Sequence, residues 1–143
     1  MLARNNSPSL AAAPAQNVSS GQDAPVLDRA AMLATVENDF ELLHELVELF
    51  FAESPGLLAQ IRAGIAERNP EAVERGAHTL KGALETFGAR RSGHAARELE
   101  LRGRESRLDD AAGLLSALES EIALASSALS DFLREIRHEG SSR

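Results

Sequence analysis

The most regular run of apolar positions lies toward the C-terminus. Leu108, Ala111, Leu115, Leu118, Ile122, Ala125, Leu129, Phe132 and Ile136 follow one another at alternating intervals of three and four residues. That spacing is the seam of a helix packed in a bundle or a coiled coil. Upstream, Asp28 is placed to cap a short helix ending near Val36. A second helix opens at about Asp39 and keeps a helical pattern to Arg68, with Pro55 inside it predicting a kink or a restart behind Ser54. Asn69-Pro70 then reads as an N-cap followed by proline at the first helical position, starting a third helix that runs to about Phe87 and stops at Gly88. A fourth covers Ala89 to Arg102, with Gly103 as its stop. Strand-favouring runs are absent. Four amphipathic segments are available to cover the C-terminal seam, and the loops are short. The pattern therefore predicts an all-α, up-and-down antiparallel four-helix bundle with a short extra N-terminal helix, rather than a lone coiled-coil strand.

Composition narrows the chemistry. Residues 1–26 are rich in Ala, Ser, Pro, Asn and Gln and carry only Arg4 and Asp23 as charges. Such a segment buries too little apolar surface to offset its ordering entropy, and it reads as a flexible tail or linker. The bundle is expected over residues 27–138, with a C-terminal tail at 139–143. The chain has 143 residues, no cysteine and a formal net charge of -7. Disulfides, thiolate metal sites and a cysteine nucleophile are thereby excluded, and an acidic chain has no general affinity for nucleic acid. No apolar run approaches the roughly 20 residues of a membrane span, and the N-terminus lacks the order of a signal peptide. A monomeric cytoplasmic domain without nucleic-acid or membrane partners is expected.

The third helix carries the candidate chemistry. With about 100° per residue and His78 set at zero, Val73, Gly76, Ala77, Leu80, Ala83, Leu84 and Phe87 fall between about 160° and 260°. His78 lies opposite this stripe, facing water, with Lys81 one turn on and Gly82 about 40° away. An isolated exposed histidine is usually unremarkable. Glycine inside a helix, however, costs about 1 kcal/mol relative to alanine, and a solvated face has no packing need for it. Gly82 makes sense if another protein's backbone must come close to His78. An imidazole that is largely neutral at pH 7 offers a ring nitrogen as a nucleophile, and Lys81 offers charge neutralisation. No phosphate-cradling glycine loop, nucleotide motif or metal-ligand spacing accompanies them, and His44, His94 and His138 form no ligand set with His78.

The segment "AHTLKG", followed by Gly88 and then "ARELE" at Ala96 to Glu100, resembles the histidine-containing phosphotransfer (HPt) domain of bacterial multistep phosphorelays. The likeness extends upstream through "DFELLHELVELFFAESPGLLAQI" and covers about residues 27–137. It implies a phosphocarrier with no kinase activity of its own, passing a phosphoryl group between aspartates of response-regulator receiver domains. By that likeness His78 is the phosphoacceptor and Lys81 flanks the phosphoryl group. Gly82 clears space for the receiver, and Thr79, Glu85 and Arg75 join it in the docking surface. No cofactor is expected on this chain, and the family's Mg²⁺ is expected on the receiver. A hybrid sensor histidine kinase, in cis or in trans, is the further expected partner.

Some positions depart from the family pattern. Glu85 replaces a usually small residue, and Ser92 and Ala95 stand where leucine is frequent, so the fourth helix should pack thinly in its first half. If the third and fourth helices pair about Gly88, Arg97 or Arg102 would lie level with His78 and support a phosphoryl group or an acidic partner. Two rival readings remain open on sequence alone. One is a non-catalytic interaction module using the same face, and the other is a kinase dimerisation helix pair.

Overall fold

The computed structural model describes residues 25–141, with side chains described as far as residue 137. The tail assigned to residues 1–26 lies almost entirely outside the described residues. Five helices follow in order: α1 Arg29–Thr35, α2 Phe40–Ala66, α3 Pro70–Thr86, α4 Arg90–Arg104 and α5 Ala111–Ser141. Their starts follow the predicted chemistry. The Asp28 side chain accepts from the Ala31 amide and Asp39 from the Leu42 amide, each at 3.0 Å, and Asn69 accepts from the Ala72 amide ahead of Pro70. These bonds satisfy amides that the first turn leaves without a helical partner. Gly88, at φ +65°, makes the left-handed turn between α3 and α4.

Two expectations about helix breaks are corrected. First, α2 neither stops nor restarts at Pro55 but runs as one 27-residue helix through it. Leu43, Val47 and Phe50 before the proline and Ile61 and Gly64 after it are buried in the same core, and that shared packing outweighs one lost backbone bond. Second, Gly103 does not end α4. It lies buried within the last turn, and a Cβ there would stand 2.6 Å from the Glu74 amide nitrogen and 2.7 Å from the Pro70 carbonyl oxygen. At Gly103 the backbones of α3 and α4 approach too closely to admit a side chain. The helix ends instead at Arg104, with Ser106 taking the left-handed conformation.

The predicted seam is buried within the chain: every member from Leu108 to Phe132 is core, and Ile136 packs at its edge. α5 packs on α4 and α2, while α3 packs on α2 and α4, which closes a four-helix bundle. The dimerisation reading thereby loses the apolar seam it needed. By length and hydropathy alone α5 does reach the range of a membrane span, contrary to the sequence reading, but its seam faces the protein core. It continues to Ser141, through the start of the segment expected to be a tail. At one end α1 closes the bundle by burying Met32, with Arg29 paired to Glu135 and stacked 4.5 Å over the Phe132 ring. Phe50 and Phe87 meet edge to face at 5.5 Å, tying α2 to the end of α3. On α4, Ser92 is buried where a leucine would be expected, and its hydroxyl donates to the Glu121 carbonyl at 3.0 Å.

Candidate functional site

Residues Val73, Gly76, Ala77, Leu80 and Leu84 turn the apolar stripe of α3 into the core, which leaves His78 on the outside with its side chain 66% exposed. Its inner edge is nevertheless held. Nδ1 lies 2.8 Å from Oε2 of Glu100 on α4. Glu100 is almost fully buried, and two further cations reach it: Lys81 Nζ at 2.9 Å from Oε1 and Arg104 Nη2 at 2.9 Å from Oε2. Arg104 also donates through Nε to Glu74 at 3.2 Å. Every donor at this carboxylate is thus a charged or potentially charged nitrogen.

Burial would raise the Glu100 pKa, but hydrogen bonds from Lys81 and His78, together with their charges, outweigh it and leave the carboxyl below its ordinary value. Glu100 is therefore ionised at neutral pH, and an ionised carboxylate only accepts hydrogen bonds. A hydrogen bond between the two groups is therefore donated by His78 Nδ1, and in the neutral ring the lone pair lies on Nε2. The exposed ring is backed by a buried negative charge.

The other candidates fall on two sides of His78. Gly82 is exposed, and a Cβ added there meets nothing within 4 Å, so the space beside His78 is open. On the α2 side, Thr79 lines an apolar groove with Ala83 and Thr86 opposite Leu46, Leu49 and Leu57. On the α4 side, Glu85 and Lys81 border a shallow hollow with Arg90, Gly93, His94 and Arg97. Arg75 borders a cleft with His78, Glu100 and Arg104. Lys81 is mostly buried and bonded to Glu100, so it is linked to His78 through that carboxylate. Arg102 pairs with Asp110, just ahead of α5, and with Glu98 one turn back on α4. The cation that joins the site is Arg104.

Sequence reading missed Glu100 and Arg104 as site residues. Glu100 had a signal, because it follows Ala96 and Leu99 on the buried stripe of α4, where a carboxylate is out of place without partners. Among the described residues no group of three or more His, Asp or Glu side chains converges to hold a metal ion.

The Hpt domain family model matches residues 45–137, about two thirds of the chain. The chain belongs to the Hpt domain family. Hpt domains also appear among the solved structures that it resembles. Histidine-containing phosphotransfer protein B (HptB) from Pseudomonas aeruginosa PAO1 superposes with a TM-score of 0.73 at 24% identity, over 79% of this chain and 98% of that one. The HPT domain of the Hpt sensor hybrid histidine kinase from Shewanella gives a TM-score of 0.66 at 18% identity, over 77% and 95%. At these identities the two structures establish the shared fold. No curated protein sequence matches the chain significantly.

Proposed function

We propose that this domain is a phosphorelay intermediate that accepts a phosphoryl group on His78 Nε2 from a receiver-domain aspartate and returns it to another. The observation that carries the reading is the Glu100–His78 contact, which presents one ring nitrogen as a free nucleophile while securing the other. In the transfer, the Nε2 lone pair attacks phosphorus and the phosphorus–oxygen bond to the aspartyl group breaks. The bonding electrons stay on the departing carboxylate. Nδ1 keeps its proton, so the phosphorylated ring carries positive charge directly against Glu100. That charge is stabilised where it develops, which is the use of a preorganised buried carboxylate. Loss of the phosphoryl group to a second aspartate runs the same steps in reverse.

Lys81 keeps Glu100 ionised, Arg104 helps to aim it, and Gly82 leaves the approach open. Mg²⁺, in this reading, sits on the receiver and neutralises the phosphoryl oxygens there. The chain is a carrier rather than an enzyme, acting as a cytoplasmic monomer with a receiver or a hybrid kinase as its partner. The test is incubation with a phosphorylated receiver domain, followed by assay for label that is acid-labile and base-stable. Wild type is expected to take up label and His78→Gln to take up none. Label on His78→Gln at the wild-type rate would overturn the assignment.

A further inference from the structure

The cations around His78 are not equally engaged. Lys81 and Arg104 both bond the buried Glu100 carboxylate, and Arg104 also holds Glu74 through Nε. Arg75 differs. Among the described residues its guanidinium makes no hydrogen bond, and its one ion-pair contact is with Glu71, four residues back on α3, at 3.7 Å. That distance lies outside the 2.7–3.2 Å range of an N–H···O bond. The two side chains are 68% and 80% exposed, so little holds them together. Five donors are left to water one turn before the candidate phosphoacceptor.

Helix geometry places Arg75 beside the phosphoryl position. It stands about 60° around α3 from His78 and about 4.5 Å back along the axis, on the flank away from Lys81. Side chains on a helix lean toward its N-terminus, so the His78 ring covers the turn that carries Glu74 and Arg75. His78 and Arg75 accordingly line one cleft of about 380 Å³ with Glu71, Glu74, Glu100 and Arg104.

The cleft holds three carboxylates, and a phosphoryl group adds about 1.5 to 2 further negative charges at pH 7. Glu100 is matched by Lys81 and Arg104, and Glu74 by Arg104. Glu71, among the described residues, is matched by Arg75 alone. A phosphoryl group and Glu71 therefore compete for one guanidinium. The phosphoryl group is the stronger acceptor, because it carries more charge and takes the planar fork through two oxygens.

We propose that Arg75 leaves Glu71 when His78 is phosphorylated and pairs with the phosphoryl oxygens, so that the Glu71–Arg75 pair sets how much phosphate rests on this domain rather than on the receiver. The proposal rests on the reading of His78 as the phosphoacceptor. It differs from a docking role in one measurable respect. A contact that only holds the receiver changes forward and return transfer alike and leaves their ratio unmoved, whereas a contact made only in the phosphorylated domain changes the ratio.

The experiment uses the full chain as wild type, Arg75→Ala, Arg75→Lys and Glu71→Gln. Transfer to and from a purified receiver domain is followed in both directions, and the division of label between the two proteins is read at equilibrium. In parallel, each variant is phosphorylated by phosphoramidate without a receiver, and the last proton of the phosphoryl group is titrated by phosphorus NMR. Arg75→Ala is expected to move the division about three- to fivefold toward the receiver, chiefly through faster return transfer. Its phosphoryl group should titrate about half a unit higher than in wild type. Arg75→Lys should fall between the two, since it keeps the charge and loses the fork. Glu71→Gln should move the division about twofold the other way. An unmoved division with both rates slowed alike, or a phosphoryl titration unchanged in Arg75→Ala, would overturn the proposal while His78 is still labelled normally. A wild type that takes no label on His78 from either donor would sink the phosphoacceptor reading, and this proposal with it.

Discussion

Replacing Glu100 with glutamine isolates the contribution of its charge, because shape and burial are nearly unchanged. The carboxylate lies 2.8 Å from His78 Nδ1, and the charge on a phosphorylated imidazole spreads over the ring behind that atom. At about 4 Å, two unit charges interact by about 1 kcal/mol in water and about 4 kcal/mol at an effective dielectric of 20. The ring is 66% exposed, which pulls the interaction toward the lower part of that range. A loss of about 1–2 kcal/mol follows, or roughly a 5- to 30-fold slower transfer. Folding carries a separate cost. Lys81 is only 19% exposed and would lose its carboxylate partner, which should destabilise the bundle by about 1–3 kcal/mol. Urea unfolding followed by circular dichroism measures the second effect, and single-turnover transfer from a phosphorylated receiver measures the first under conditions where both proteins stay folded. Glu100→Gln transferring at the wild-type rate while showing the stability loss would reduce Glu100 to a structural anion and refute its role in the chemistry.

Three other outcomes are expected. Gly82→Leu should raise helix propensity by several tenths of a kcal/mol and block receiver transfer, since the open space beside His78 would be filled; unchanged transfer would remove the steric role of that glycine. Gly103→Ala should destabilise the bundle by about 1–3 kcal/mol or more, because its Cβ would strike backbone atoms of α3; a melting temperature at or above wild type would show that the helices part without cost. The third concerns acid. The Glu100 pKa is depressed in the folded protein, so its contribution is fully present above the ordinary value of 4.5 and is lost as pH falls through the folded pKa. The stability advantage of wild type over Glu100→Gln should therefore be flat near neutrality and shrink on acidification below about 4.5, as unfolding curves at successive pH values will show. An advantage that grew with acid would mean that Glu100 is protonated in the native state.

The bundle was legible because its information is local. Caps at Asp28, Asp39 and Asn69, and the seam from Leu108 to Phe132, are properties of single helices, and each appears where its spacing placed it. The exposure of His78 followed from the angular position of one stripe on one helix. Gly103 was misread because glycine serves both as a helix stop and as a contact between two backbones, and only the position of α3 distinguishes the two. The restart offered for Pro55 does not occur for a related reason: the cost of a missing amide is local, whereas the packing that offsets it spans the core. Glu100, Lys81 and Arg104 meet only when α3 and α4 pair in one register. Sequence spacing placed Arg97 or Arg102 opposite His78, but it is Arg104 that reaches Glu100, while Arg102 pairs with Asp110.

The central claim is that His78 carries phosphate on Nε2 while Nδ1 stays bonded to Glu100. Phosphorus and nitrogen NMR of the ¹⁵N-labelled domain, after transfer from a phosphorylated receiver, tests it most directly. The expected spectrum shows one phosphohistidine, at His78, with phosphorus coupled to Nε2 and a proton retained on Nδ1. Phosphorus coupled to Nδ1, or a phosphorylated residue other than His78, would contradict the account.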